Sequence, residues 1–247
     1  MKRYGLIGYP LEHSFSPEYF RKKFQKENIQ ATYELFPIKN INDFPKLIES
    51  HPDLSGLNVT IPHKQTIIPY LDHISDEAKA IGAVNTLKIE QKTSPVITGY
   101  NTDVVGLQKT IRELIASKPN IHALILGTGG ASVSVQFVLK KLSIPFRLVS
   151  RKANAGNLTY QQIDHDTIRH YRLIINTTPL GMHPNIEDYP KLPYEWITAE
   201  HIFYDLIYNP QKTHFLQKAE EKGATIMNGL KMLQVQAEAS WQIWHEA

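Results

Sequence analysis

Three short stretches of this chain carry residue types that can move a proton and hold a polyhydroxylated molecule. Asn58-Val59-Thr60-Ile61-Pro62-His63-Lys64 supplies an amine, Gly82-Ala83-Val84-Asn85-Thr86 an amide, and Gly99-Tyr100-Asn101-Thr102-Asp103 a carboxylate. Each lies beside an expected strand or helix end. In α/β sheets such ends face a common crevice, so Thr60, Lys64, Asn85 and Asp103 are expected to converge. Singly, each residue has a plainer reading: Lys64 as a surface amine, Asp103 as a helix cap, Asn85 and Asn101 as turn residues. Their sum favours a site. Lys64 is read at the start of a helix over Lys64–Tyr70, where an ammonium gains nothing from the helix dipole. A free lysine titrates near ~10.4; desolvation would lower that value and a neighbouring Asp103 would raise it. No second ligand falls at metal-binding spacing from His63, so His63 reads as structural or exposed and no metal is expected.

Two further stretches suit anions. In Ser14-Phe15-Ser16-Pro17, Pro17 fits the first helical position and Ser16 the N-cap. Either the hydroxyl only caps, or both hydroxyls hold a carboxylate at a helix N-terminus. Downstream, Gly127-Thr128-Gly129-Gly130-Ala131-Ser132 falls between an expected strand and helix. That context suits a nucleotide pyrophosphate, although Ser132 stands at the third glycine position. The next strand ends at Ser150-Arg151-Lys152. An acid there would suit a ribose 2′-hydroxyl, whereas Arg151 and Lys152 suit a 2′-phosphate. Two solvated cations are the alternative.

These residues need a scaffold, and apolar runs alternating with helical patterns predict an α/β chain. Strands are expected near Tyr4–Gly8, Thr32–Pro37, Gly56–Val59, Thr86–Glu90 and Val96–Gly99, the last two joined by a hairpin turn at Lys92-Thr93-Ser94-Pro95. Helices are expected near Pro17–Glu27, Ile41–Ser50, Lys64–Tyr70 and Asp76–Ile81. A βαβ series follows: a helix near Val104–Ala116, then strands at His122–Leu126, Phe146–Val149, Leu173–Asn176, Ile202–Leu206 and Ala224–Met227. Lys152–His170 is polar and predicts a reduced or missing crossover helix. A last helix, Leu230–Trp244, presents Leu230, Leu233, Ala237, Trp241 and Trp244 as one buried stripe.

Composition bounds the alternatives. The chain has 247 residues, 42% hydrophobic, a formal net charge of +3 and no cysteine. Disulfides and thiolate chemistry are excluded. Basic residues are scattered without interleaved aromatics, so no nucleic-acid partner is expected. No apolar stretch approaches the roughly 20 residues of a membrane span, and Pro10, Glu12 and His13 interrupt the first apolar run too early for a signal peptide. A cytoplasmic protein is expected.

The ordered motifs resemble the shikimate dehydrogenase family: His13–Pro17, Asn58–Lys64, Gly82–Thr86, Asn101–Asp103, Gly127–Ser132, Asn176-Thr177-Thr178-Pro179, Tyr204–Pro210, and Asn228-Gly229-Leu230 with Gln236. The resemblance implies an N-terminal α/β substrate domain over residues 1–102, completed by a C-terminal helix at 229–247. Residues 103–228 would form a Rossmann-like, doubly wound NADP domain. It implies NADPH-dependent, reversible reduction of 3-dehydroshikimate to shikimate, by a monomer or homodimer. By resemblance, Ser14, Ser16 and Tyr208 contact the substrate carboxylate. Thr60, Lys64, Asn85, Asp103 and Gln236 contact the ring hydroxyls, and Lys64 with Asp103 forms the catalytic pair. Gly127, Gly129, Gly130, Ala131 and Ser132 cradle the pyrophosphate, with Thr177 and Gly229 beside the cofactor and Ser150, Arg151 and Lys152 on the 2′-phosphate side. Many members read Asn-Arg-Thr with another arginine shortly after, where this chain has Ser150-Arg151-Lys152 and Ala155. Alternatives are an NAD-using quinate/shikimate dehydrogenase and a non-catalytic shikimate or nucleotide sensor. Retention of both Lys64 and Asp103 argues against the sensor.

Overall fold

The structure, a computed structural model, describes residues 2–12, 14–152 and 156–245. His13 and Ala155, both used in the sequence reading, lie outside the described residues. The chain divides into two units, one formed by Met1–Val105 with Gln234–Ala247 and the other by Gly106–Leu233.

The first unit contains β1 (Lys2–Gly8), α1 (Ser16–Lys26), β2 (Ala31–Pro37), α2 (Phe44–Ser50), β3 (Leu54–Val59), β4 (His73–Ile74), α3 (Asp76–Ile81), β5 (Thr86–Glu90) and β6 (Val96–Tyr100). Its sheet runs β2-β1-β3-β5-β6-β4. β1 is parallel to β2 and β3, whereas β5 is antiparallel to β3 and, as the Lys92–Pro95 turn requires, to β6. One face buries Ile7, Leu57, Val59, Leu87 and Ile97. On the other, Tyr4, Phe20 and Phe24 pack with Trp244 of the C-terminal segment. A Cβ on Gly56 would sit 2.2 Å from the Trp244 indole nitrogen, so only glycine lets that ring reach the sheet. The indole N–H then donates to Leu87 O at 2.9 Å.

Three expectations need correction. Residues 61–67 form turns, and the only helical geometry over Lys64–Tyr70 is a 3₁₀ turn at Ile68–Tyr70. The Lys64 carbonyl accepts from Val84 N at 2.7 Å, which takes the acceptor an α-helix would give to Ile68. Ile68 N bonds Gln65 O instead. The helix-dipole argument for Lys64 therefore falls. Ser16 is the first residue of α1 and Phe15 occupies the N-cap position, without a side-chain cap; Pro17 is in the first turn as expected.

The second unit carries the rest: α4 (Thr102–Ile115, whose first residues belong to the first unit), β7 (Ala123–Leu126), α5 (Gly130–Lys141), β8 (Phe146–Ser150), β9 (Leu158–Thr159), α6 (His165–His170), β10 (Leu173–Asn176), β11 (Ile202–Asp205), α7 (His214–Glu220) and β12 (Thr225–Met227). Its all-parallel sheet runs β12-β11-β10-β7-β8-β9, the doubly wound order. β7, β10 and β11 are buried along their whole length, which is why they read as apolar runs, β10 and β11 ending in the polar Asn176 and Asp205. α6 is the expected reduced crossover. In the last helix, α8 (Leu230–His245), the buried positions are Gln236, Ala237, Ala239, Ser240 and Trp244. The apolar stripe expected there is thus narrower and carries two polar residues.

Candidate active site and cofactor cavity

In the first unit, Lys64 and Asp103 come together although 39 residues separate them in sequence. Lys64 Nζ lies 2.6 Å from Asp103 Oδ2, with side chains 33% and 15% exposed. Both are positioned by their backbones. Lys64 is pinned through its carbonyl to Val84. The preceding His63 is buried, with Nε2 2.6 Å from Ile38 O and Nδ1 3.4 Å from Thr66 Oγ1, so it is structural. Asp103 stands in the first turn of α4. Other side chains serve that helix start: Asn85 Oδ1 accepts from Thr102 N at 2.7 Å and Asn101 Oδ1 from Val104 N at 3.4 Å. The Asp103 carboxylate is thereby left for Lys64 and a ligand.

Beneath the pair lies a buried polar network that the sequence reading saw only in part. Asn58 Nδ2 reaches Ser240 Oγ at 2.9 Å, and Thr86 Oγ1 reaches Ser240 Oγ at 2.9 Å and Thr102 Oγ1 at 3.0 Å. Tyr33 donates to Asn58 Oδ1 at 2.8 Å. Burial pushes the Tyr33 phenol up, while its hydrogen bond with Ser16 pulls it down. Gln236 joins through Thr102 Oγ1 at 3.4 Å. Satisfied polar networks of this kind fix side chains in one arrangement. Thr102, Ser240 and Tyr33 were missed. Ser14 Oγ donates to Leu11 O at 2.7 Å. Thr60, half-buried, bonds Ile7 O through its N–H at 2.9 Å.

In the second unit a cavity of about 400 Å³ opens at the carboxyl ends of β7, β8 and β10. Gly127, Thr128 and Gly129 follow β7, Ser150 and Arg151 close β8, and Thr177–Leu180 follows β10. Gly127 has φ +107, and a Cβ there would meet Thr177 Oγ1 at 2.8 Å. Gly129 and Gly130 face open space. The 12-residue α5 starts here with Gly129 at its N-cap and no side-chain cap. Its free N–H groups suit an anion, and with Arg151 in the wall the donor set fits a dinucleotide bearing a 2′-phosphate. Gly130 and Ala131 are exposed in the first turn of α5, beside the lining; Ser132 is fully buried and serves packing. Ser150 Oγ is engaged by Lys152 O, and Lys152, exposed, does not line the cavity. Gly229 does not line it either; a Cβ there would lie 2.1 Å from Leu206 O, so its role here is close packing. Tyr208 is half-buried in this unit, and burial raises its phenol. Tyr160, in the cavity wall, was missed.

One carboxylate of this unit is structural. Asp205 is buried and accepts from Asn176 Nδ2 at 3.0 Å, Ile207 N at 3.0 Å and Thr213 Oγ1 at 2.6 Å. Burial outweighs those bonds and pushes its pKa up to about 6.

A family model, the shikimate dehydrogenase substrate binding domain, matches residues 6–87. The NADP(+) shikimate dehydrogenase of Methanococcus aeolicus is 37% identical, over 98% of this chain and 91% of its own length. This chain belongs to the shikimate dehydrogenase family. The crystal structure of the Aquifex aeolicus shikimate dehydrogenase superposes with a TM-score of 0.85 at 35% identity, covering 99% of this chain and 92% of that one. The Thermus thermophilus enzyme, solved with NADP(H) and shikimate, gives 0.84 at 28% identity, covering 99% and 94%. No described helix is long and apolar enough to cross a membrane.

Proposed function

We propose that this chain reversibly reduces 3-dehydroshikimate to shikimate with NADPH, and that Lys64 moves the proton. The observation that carries the assignment is the 2.6 Å pairing of Lys64 Nζ with Asp103, part-open to solvent on a backbone held from several sides. The bound cofactor supplies the hydride. Lys64 gives a proton to the oxygen on the carbon that receives it, and takes it back in the oxidative direction. Asp103 keeps Nζ aimed and accepts from a neighbouring ring hydroxyl. Asn85, Thr60 and Gln236 are assigned to the remaining hydroxyls, and Ser14, Ser16 and Tyr208 to the carboxylate.

The unit formed by Met1–Val105 and Gln234–Ala247 is assigned to the substrate, and that of Gly106–Leu233 to NADP. Arg151 in the cavity, with no acid closing β8, favours NADP over NAD. The reading needs only small-molecule partners in the cytoplasm, and sedimentation would separate monomer from homodimer. The test is nicotinamide absorbance with shikimate or quinate and NADP or NAD. Shikimate with NADP should give the highest specificity constant. A preference for quinate with NAD would reverse the assignment.

A further inference from the structure

Two hydroxyls in the lining of the cofactor cavity, those of Thr128 and Tyr160, have no hydrogen-bond partner among the described residues, and of these Tyr160 is the one next to the end of β8. Three other hydroxyls in its lining are spent internally: Ser150 on Lys152 O, Thr177 on Leu126 O at 2.7 Å, and Thr178 on Asn176 Oδ1 at 2.7 Å. Tyr160 lines the same cavity, and its hydroxyl has no hydrogen-bond partner among the described residues. No sealed side-chain polar atom among them lacks a partner, so this hydroxyl is open to the space in front of it.

Local structure explains its position. β9 pairs in parallel with the end of β8, Val149 opposite Leu158 and Ser150 opposite Thr159. Arg151 and Tyr160 directly follow these paired strand ends, and both line the cavity. The ring packs against the apolar core of the unit, which fixes its direction. Arg151 is the single charged side chain in the described lining. A phosphate dianion presents more acceptor sites than one guanidinium fills, and a hydroxyl donating to it makes a charge-assisted bond.

We propose that Tyr160 is a specificity-determining residue of the cofactor site, its hydroxyl donating to the 2′-phosphate that Arg151 neutralises. This rests on the reading that the cavity takes NADP. Burial holds the Tyr160 phenol above its ordinary value although Arg151 pulls the other way. The group therefore stays a protonated donor at neutral pH, where a phenolate would repel phosphate.

The test is calorimetric titration of the full chain with 2′,5′-ADP and with 5′-AMP, which needs no turnover. Tyr160→Phe keeps the ring in the core and removes only the hydroxyl. It should weaken 2′,5′-ADP by about tenfold, as expected for a bond to a charged group. Binding of 5′-AMP should stay within about twofold, and the thermal midpoint should hold. Equal loss for both nucleotides would reduce Tyr160 to a wall of the adenosine pocket and overturn the proposal, as would no loss for either. A wild-type chain that binds both equally would instead overturn the NADP reading, and Arg151→Ala would then change neither.

Discussion

Around Lys64 the polar atoms belong to side chains, and most already bond to another part of the first unit. Around the cofactor cavity, Gly129 and Gly130 face open space at the uncapped start of α5, with Arg151 in the wall. The first arrangement suits a small neutral ring bearing hydroxyls, because fixed donors and acceptors at several depths distinguish one hydroxyl pattern from another. The second suits a pyrophosphate, because absent side chains let backbone and charge come close. The two carboxylates differ in the same way. Asp103 is paired with a lysine at 2.6 Å, whereas Asp205 has three neutral donors and, among the described residues, no cation.

The largest effect that would sharpen this contrast is on chemistry. Lys64→Ala should lower turnover by roughly 10²–10⁴-fold, the size of a lost proton transfer, while 2′,5′-ADP binding stays unchanged. Turnover within threefold of wild type would remove Lys64 from the mechanism. Unchanged nucleotide binding matters equally, since it shows that the loss is confined to one region.

Next comes Asp205. Its folded value of about 6 lies above the ordinary 3.8. Between those values the folded chain holds a proton that the unfolded chain has released. Stability from this group is therefore complete below about pH 4 and falls as pH rises to about 6, by about 3 kcal/mol in all. Asp205→Asn cannot ionise, so denaturant midpoints measured from about pH 4 to about pH 7 should fall less steeply than in wild type. Parallel profiles would show that Asp205 stays ionised in the fold and that burial does not govern it.

How much of each region could be read beforehand follows from the same physics. Asp76–Ile81, Thr86–Glu90 and Leu173–Asn176 were legible to the residue, because each has a clear period or a continuous apolar run bounded by turn residues. Strands β7, β8, β10, β11 and β12 of the doubly wound unit were legible for that reason, whereas α7 was not read. The Lys64 loop was not legible. Thr66, Ile67 and Ile68 are successive β-branched residues before Pro69, a poor helix, and the decisive bond from Val84 is tertiary. His73–Ile74 and Leu158–Thr159 are two-residue strands, too short to show alternation. With β9 unseen, Tyr160 could not be set beside Arg151. In the candidate site, the convergence of Lys64 and Asp103 was legible from motif order, and Asn85 lies at the same helix start as an acceptor for Thr102. Ser240 was not legible, because one serine in a helical pattern carries no sign of the Asn58 and Thr86 it meets.

Arg151→Ala addresses the cofactor side. It should raise the Michaelis constant for NADP roughly ten- to a hundredfold and leave NAD little changed. Since Lys152 does not line the cavity, Lys152→Ala alone should stay within about twofold, and the double variant should match Arg151→Ala. An NADP/NAD ratio of specificity constants that is unchanged in the double variant would show both cations to be merely solvated.

The smallest effect is expected at Ser14, and the reason lies in the first region's habit of satisfying its own polar groups. The Ser14 hydroxyl donates to Leu11 O at 2.7 Å, so to reach a substrate carboxylate it must leave one acceptor for another. Only the difference between the two bonds appears in affinity. A net hydrogen bond of about 0.5–1.5 kcal/mol makes Ser14→Ala weaken shikimate about three- to tenfold, less than a full bond to a charged group. The methyl ester of shikimate, lacking the charge, should bind wild type poorly and respond little to the substitution. Leu11 O still accepts the Ser14 backbone N–H at 3.1 Å, so the turn should survive the loss of the hydroxyl and the thermal midpoint should move little. Equal loss for acid and ester would show that Ser14 shapes the Leu11 turn without touching the carboxylate. The anion contact would then fall to Ser16, the first residue of α1.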